Sequence, residues 1–406
     1  MSRTNTAHSY GTVAKTFHWL TAFLIITLIV LGVVANGMAY DTSEQLAMKA
    51  WMFSMHKTLG VTMFFVALAR IAWALTQPKP NGLHPDRKAE NWLAETVHWL
   101  LYSSLILVPL TGWIHHAATT GFAPIWWPFG QGLPFVGKDE GTAALFGGLH
   151  VTFEKVLLLA IFLHVAGAVK HHVIDKDATL RRMWFGESNA PETHGGHSTA
   201  LPIASALIAW AAAVGIGSAT GMFAHTEAKE TAALEQVSSE WSVQSGEIAI
   251  TIDQFGGTVQ GNFSDWTAAI AFDPETGLGT TEVTIATGSL TLGSVTSQAT
   301  GPDFFEVEQF PTATFTADIT PLEGAYVATG TLTIRDQSMP LTLPFDLSIT
   351  DKTATMKAST TLNRLDFDIG KSMADESNLK FGVNVDINLT ATQDCSDTSP
   401  RPPSSY

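Results

Sequence analysis

Five apolar stretches, each near or above the length needed to cross a bilayer, crowd into the first 224 of 406 residues. They run roughly from Phe17 to Ala39, Met52 to Thr76, Trp92 to Trp113, Leu149 to Val173 and Leu201 to Phe223. About 20 apolar residues in helical form span the hydrocarbon core, and a helix is one of only two structures that bond all their backbone groups internally there. Lys15 precedes the first stretch as in a secretory leader, but its length and the spans behind it read as a retained membrane helix.

Charge divides the chain in two. Residues 1 to 224 carry 14 Lys and Arg against 12 Asp and Glu, whereas residues 225 to 406 carry 8 against 25, so the total of −15 lies in the second part. An acidic domain argues against nucleic acid or anionic lipid headgroups as its partner. All 14 histidines stand at or before His225, so any histidine-based metal chemistry belongs to the first part. The single cysteine, Cys395, excludes an intramolecular disulfide, a multi-cysteine iron–sulfur cluster and covalent C-x-x-C-H haem attachment.

The short connections set an orientation. Arg3 and Lys15 flank the first span, Lys79, Arg87 and Lys88 lie between spans two and three, and Lys176, Arg181 and Arg182 follow span four. The other two connections hold only Lys49 and Lys138. By the positive-inside rule the N-terminus is cytoplasmic, and five spans place the residues after about 224 outside the cytoplasm, in the periplasm of a bacterium.

Residues 189 to 200 are polar and read as a cytoplasmic linker; the His194 and His197 within it are a weak metal signal, because two ligands on a flexible loop close no site. After Glu240 the pattern changes to period-two runs, with Ile248, Ile250 and Ile252 on one face and then Phe315, Ala317 and Ile319. Such runs, separated by Gly, Pro and Asp, are expected to form an antiparallel sandwich or barrel.

The chemistry lies in the histidines of the apolar spans: His18, His56, His98, His150 and His164. An ionisable side chain in a membrane is costly, so each needs a function or an interhelical hydrogen bond, and for one taken alone the two readings weigh equally. The spacing breaks the tie. His150 and His164 are 14 residues apart, about 3.9 turns and about 21 Å, so they face within about 40° of one direction at opposite membrane depths. Alternating topology puts His18 near the level of His164 and His56 near the level of His150. Each pair can hold an iron porphyrin from both faces, and the small residues Gly60 and Gly167 allow a macrocycle close to the helix backbone. Two-histidine iron has no open position, so one-electron transfer between membrane faces is expected rather than oxygen chemistry.

Those residues resemble the bacterial di-haem cytochrome b561 family over residues 8 to 186. The matching pieces are His18-Trp19-Leu20, His56-Lys57-x-x-Gly60, Arg70, His98 with Tyr102, Pro109-Leu110-Thr111-Gly112-Trp113, and His150 with His164 leading into Lys170-His171-His172. The resemblance implies two b haems on His18, His56, His150 and His164, and electron exchange with quinone; some members resemble superoxide oxidases, which pass the electron of superoxide into the quinone pool. Residues 241 to 391 are similar to the YceI family. The pieces include Trp241-x-x-x-Ser245, Phe272-Asp273-Pro274, Pro311-x-Ala313-x-Phe315 and Leu362-Asn363-Arg364-x-Asp366-Phe367-x-Ile369-Gly370. That similarity implies a lipocalin-like antiparallel barrel with an isoprenoid chain in its apolar interior. One departure is Arg335-Asp336, where a Gly is expected after the Arg, so that hairpin is expected to differ.

Other side chains have competing readings. Lys57 and Arg70 suit haem propionates, since a buried carboxylate needs a cation, but long basic side chains also snorkel to the interface. His98 is a quinone contact or proton relay on one reading and a structural hydrogen bond on the other. His115, His116, His171 and His172 read as interfacial, and Glu154 as a partner for Lys57 or Lys155. No hydrolase motif or phosphate-binding loop stands out.

The expected architecture is a membrane all-α four-helix di-haem bundle over residues 1 to 186, a cytoplasmic linker and fifth transmembrane helix over 187 to 224, an all-β barrel in the periplasm over 225 to 395, and a flexible tail over 396 to 406. The expected function is an oxidoreductase or electron carrier of the inner membrane, working between quinone and a periplasmic one-electron partner, superoxide first among the candidates. The alternative is a membrane-tethered isoprenoid-binding or lipid-carrier protein in which the cytochrome part is accessory.

Overall fold

The computed structural model describes residues 2–119, 121–186, 199–223, 234, 237 and 239–393. His194, His197, Cys395 and the tail from 396 lie outside the described residues. The chain divides near residue 225 into a helical unit and a strand unit.

Among the described residues, five helices are long and apolar enough to cross a membrane. They are α1 (Thr12–Gly37), α2 (Ser43–Leu75), α3 (Lys88–Ala118), α4 (Glu140–Lys170), which runs on into a π-helical turn at His171–Asp175, and, after the short α5 (Thr179–Met183), α6 (Ala200–Ala219). Their outward faces are apolar: Phe23 is 69% exposed and Phe162 67%. That inverts a water-soluble helix and suits a hydrocarbon solvent. Small side chains, Ala35, Ala67, Ser104 and Ala160, are buried where helices meet, which lets backbones approach closely. Several serine and threonine hydroxyls return to their own helices, as when Ser104 Oγ donates to Leu100 O at 2.7 Å, which satisfies them within an apolar layer. α3 contains Pro109, which removes one backbone donor from the helix. Thr111 Oγ1 donates to the Leu107 and Val108 carbonyls beside it, at 2.7 and 3.0 Å.

Side-chain contacts give the direction of each helix. His18 at the start of α1 meets His164 near the end of α4, His56 early in α2 meets His150 early in α4, and His98 in α3 also meets His164. Neighbouring helices therefore alternate up and down.

Among the described residues the second unit is one sheet of ten strands, every strand pair antiparallel. Its strands are β1 (Trp241–Gln254), β2 (Gly257–Phe263), β3 (Trp266–Asp273), β4 (Leu278–Ala286), β5 (Leu290–Thr291), β6 (Thr312–Leu322), β7 (Ala325–Ile334), β8 (Gln337–Thr350), β9 (Thr353–Asn363) and β10 (Leu379–Gln393). The spatial order is β3-β4-β6-β7-β8-β9-β10-β1-β2-β5. The sheet curls until the start of β1 reaches β3. Glu240 N donates to Ile270 O at 3.1 Å, and the Trp241 indole donates to Phe272 O at 2.9 Å. Gly246 permits that approach, since a Cβ there would lie 2.8 Å from the Trp266 ring.

Alternation sets what faces inward, as the period-two pattern requires. In β6, Ala313, Phe315, Ala317 and Ile319 are all buried while the threonines between them face outward or lie part-buried. The interior keeps an apolar cavity of about 250 Å³, lined by residues such as Trp241, Ile250, Phe272, Phe315 and Phe345. Arg364, 3% exposed, sits at its wall, its charge solvated by backbone carbonyls. Its guanidinium donates to the carbonyls of Ile369, Gly370, Met373, Leu379 and Lys380. Burial pulls its pKa below the ordinary arginine value, and the Asp375 and Glu376 carboxylates oppose that.

The Arg335-Asp336 hairpin closes in two residues without the expected glycine. Arg335 takes a left-handed φ of 55°. Its side chain compensates by donating to Phe304 O, Asp368 O and the Glu306 carboxylate, at 3.1, 3.0 and 2.7 Å.

Candidate functional site

Four of the five apolar-span histidines come together as two facing pairs. The ring centroids of His18 and His164 are 6.1 Å apart, and those of His56 and His150 are 6.4 Å apart. Two imidazoles bonded from opposite sides to one ion, each through a nitrogen at about 2.0–2.1 Å, have centroids roughly 6.3 Å apart. On α4 the two pairs are separated by 14 residues, a rise of about 21 Å.

The second pair is fixed in more detail. His56 Nδ1 lies 2.9 Å from Leu28 O, and His150 Nδ1 lies 2.8 Å from Val108 O. A carbonyl only accepts, so Nδ1 carries the proton in both rings and Nε2 carries the free lone pair. Two glycines set the ring positions from behind. A Cβ at Gly32 would lie 3.1 Å from His56 Cε1, and a Cβ at Gly112 would lie 2.9 Å from His150 Nδ1. By contrast a Cβ at Gly60 or Gly167 would meet no atom within 4 Å. These are the features of a donor set suited to a metal in a flat apolar group: two preset lone pairs, small residues and room beside the ligands.

The first pair is held differently. Among the described residues no hydrogen bond fixes the ring nitrogens of His18 or His164. Packing does so instead: Trp19 meets His18 edge-on at 5.4 Å, and His98 meets His164 edge-on at 5.2 Å. His98 thus stands beside a pair rather than in one.

Two cations flank these rings. Arg70 Nη1 donates to Thr21 Oγ1, and its guanidinium lies over the Tyr102 ring at 5.2 Å. Lys57, next to His56 in the chain, is buried and its Nζ donates to Ala123 O at 2.8 Å. Neither lysine expected beside Glu154 forms an ion pair with it among the described residues. His115 is held by its own contacts: Nδ1 lies 2.7 Å from Ala143 O, and the ring packs on Gly147.

Sequence reasoning missed Gly32, Leu28 and Val108. Gly112 did stand in the Pro109–Trp113 run, but nothing in a one-dimensional pattern shows which ring it faces.

Comparison with known proteins gives each part of the chain a separate match. Residues 9–186 match the family described as prokaryotic cytochrome b561, and residues 211–392 match the YceI-like domain. Cytochrome b561 homolog 2 of Escherichia coli (strain K12) is 29% identical over 198 residues, 47% of this chain and 98% of that protein. The probable superoxide oxidase CybB of Yersinia pestis is 26% identical over 167 residues, 41% of this chain and 90% of that one. Among solved structures, Burkholderia cenocepacia BcnA is 27% identical, with a TM-score of 0.35, covering 36% of this chain and 96% of that chain. The helical unit thus matches the prokaryotic cytochrome b561 family, which implies b-type haem, and the strand unit matches the YceI-like domain.

Proposed function

We propose that the bundle holds two b haems, one between His18 and His164 and one between His56 and His150, and carries single electrons from one membrane face to the other. The observation that supports this most is the pair of centroid separations, 6.1 and 6.4 Å, at two depths of one bundle. Porphyrin iron held by two imidazoles supplies one-electron transfer and has no open position for oxygen.

The chain's own residues prepare that chemistry. Leu28 O and Val108 O hold the protons of His56 and His150 at Nδ1, which raises the basicity of Nε2 and stops ring rotation. Gly32 and Gly112, lacking a Cβ, leave the room that the same rings occupy. Arg70 and Lys57 place positive charge beside the two pairs, where a buried carboxylate-bearing group needs it.

In this reading Lys79, Arg87, Lys88, Lys176, Arg181 and Arg182 face the cytoplasm of a bacterium, and the barrel lies in the periplasm. Quinone exchanges electrons with one end, and a periplasmic one-electron partner with the other. Superoxide leads as that partner because a relative carries the name probable superoxide oxidase. Stopped-flow mixing of superoxide with the oxidised chain should reduce its haem absorption bands. Unchanged bands would remove superoxide and leave the relay to be judged by haem content.

A second reading starts from the barrel. Its cavity of about 250 Å³ is lined almost wholly by apolar side chains, as an isoprenoid chain requires. Lipid extracted from the purified full chain should contain a prenyl species at near one per protein. Only bulk phospholipid in the extract would reject this reading.

A further inference from the structure

A third cluster of histidines, outside both pairs, converges at the far end of α4. His84 comes from the connection between α2 and α3, and His171 and Asp177 come from the π-helical turn and the residues just after it. His84 Nε2 lies 3.0 Å and His171 Nδ1 2.7 Å from the same oxygen, Asp177 Oδ2. One ligand atom from each residue lies within 4.8 Å of the other two. The two imidazoles are nearly parallel, with 12° between their planes and 6.1 Å between centroids.

The backbone holds this convergence with features it does not need for a plain helix end. Five residues adopt the π form, Lys176 follows with a left-handed φ of 53°, and Asp177 N turns back to His171 O at 3.2 Å. π-turns inside longer helices occur often at functional sites. On the other strand of chain, Asn91 Nδ2 donates to His84 O at 2.7 Å and pins the loop.

The surroundings match the outer partners of a metal centre. Asp177 uses its second oxygen, Oδ1, to accept from Thr179 N at 2.8 Å, which leaves Oδ2 for the two histidines. His171 Nε2, the nitrogen away from Asp177, faces Glu90 Oε1 at 3.4 Å. A ligating histidine characteristically donates its other N–H to a carboxylate in this way. Nδ1 of His171 thus faces the proposed ion's side and Nε2 the Glu90 carboxylate, so the two nitrogens have different carboxylate neighbours. The neighbouring cations are already engaged: Arg87 and Lys170 reach Asp175 Oδ2 at 3.0 and 2.7 Å, and both also reach Glu90. The side chains of His84, His171 and Asp177 are 31%, 18% and 11% exposed, so the site is open to solvent on one side.

We propose that His84, His171 and Asp177 form a binding site for a divalent first-row transition-metal ion, separate from the two histidine pairs. Two imidazoles and a carboxylate suit Zn²⁺ or Fe²⁺ and leave at least one position for water. An ion there ties the α2–α3 connection to the end of α4. The proposal does not depend on the haem reading.

The test uses the purified full chain, stripped with a chelator and titrated with Zn²⁺, with bound metal counted by mass spectrometry. One tightly held Zn²⁺ per chain is expected, with a rise in Tm on binding. His84→Ala and Asp177→Asn should each abolish that Zn²⁺ and the Tm rise, with haem absorption unchanged, and Glu90→Gln should weaken binding by about tenfold or more. The double variant His194→Ala/His197→Ala should keep it. X-ray absorption of the zinc-loaded chain gives a readout that needs no variant: two imidazoles with oxygen ligands support the site. No retained Zn²⁺, or Zn²⁺ that disappears with His194 and His197 but survives His84→Ala, would overturn it.

Discussion

His150 Nδ1 lies 2.8 Å from the carbonyl oxygen of Val108, the residue directly before the helix-interior Pro109. One backbone atom of α3 thereby sets the tautomer and direction of a ring on α4. Together with Gly112, one turn later and 2.9 Å from the same ring if it bore a Cβ, it defines the pocket of His150.

Gly112→Ala should therefore displace the His150 ring and cost most of one haem per chain, with the His18 and His164 centre retained. Gly37→Ala, where a Cβ meets nothing within 4 Å, serves as the control and should leave haem content unchanged. Haem extraction and quantification reads both.

His98 stands edge-on to His164 at 5.2 Å, and His18 stands on the same ring at 6.1 Å. With His18 as the partner across the iron, His98→Phe keeps the aromatic packing and should keep two haems per chain. If His98 were the ligand instead, that variant would lose one haem and His18→Phe would not.

Arg364 satisfies five buried or part-buried carbonyls of the barrel wall at once. Arg364→Leu strands them without donors, and each buried unsatisfied group costs about 1–3 kcal/mol. A loss of about 3 kcal/mol or more in the barrel's unfolding transition is expected in urea. Arg364→Lys, with three donors on a flexible stem, should recover only part of it.

Asp177 gives a pH signature. Burial would raise its carboxyl, but hydrogen bonds from Thr179, His171 and His84 outweigh burial and hold it at about 2 against an ordinary 3.8. A depressed acid stabilises the fold above its unfolded pKa and loses that contribution as pH falls. On the order of 1 kcal/mol, allowing for solvent screening, should disappear between about pH 4 and pH 2 in the metal-free chain. Thermal melts of Asp177→Asn should lack this step.

Ala328 is buried at the wall of the barrel cavity. Ala328→Phe should fill that space and exclude a prenyl chain while the barrel's strand circular dichroism persists. Prenyl lipid that still copurifies with this variant would place the ligand elsewhere.

Much of this was legible in one dimension. All five helices fall where hydropathy put them, but their ends differ: the stretch expected from Leu149 begins in the structure at Glu140, where the Asp139 side chain caps α4 by accepting from Thr142 N, and α6 stops at Ala219. Period-two burial in β6 matched its pattern because side chains alternate faces whatever their partners. The facing of His150 and His164 followed from helix geometry alone. What was hidden depends on contacts across long separations. Leu28 and Val108 act through carbonyls, which every residue has. His84 and Asp177 are 93 positions apart, and no pattern in the sequence shows that the π-turn brings His171 to both.

The most direct measurement is a dithionite-minus-oxidised spectrum with haem quantification on the full chain, His150→Ala and His164→Ala. Two b haems in the parent chain, and one remaining in each variant with a different residual spectrum, is the expected result. A parent chain with one haem or none, or variants that keep both, would contradict the two-centre relay.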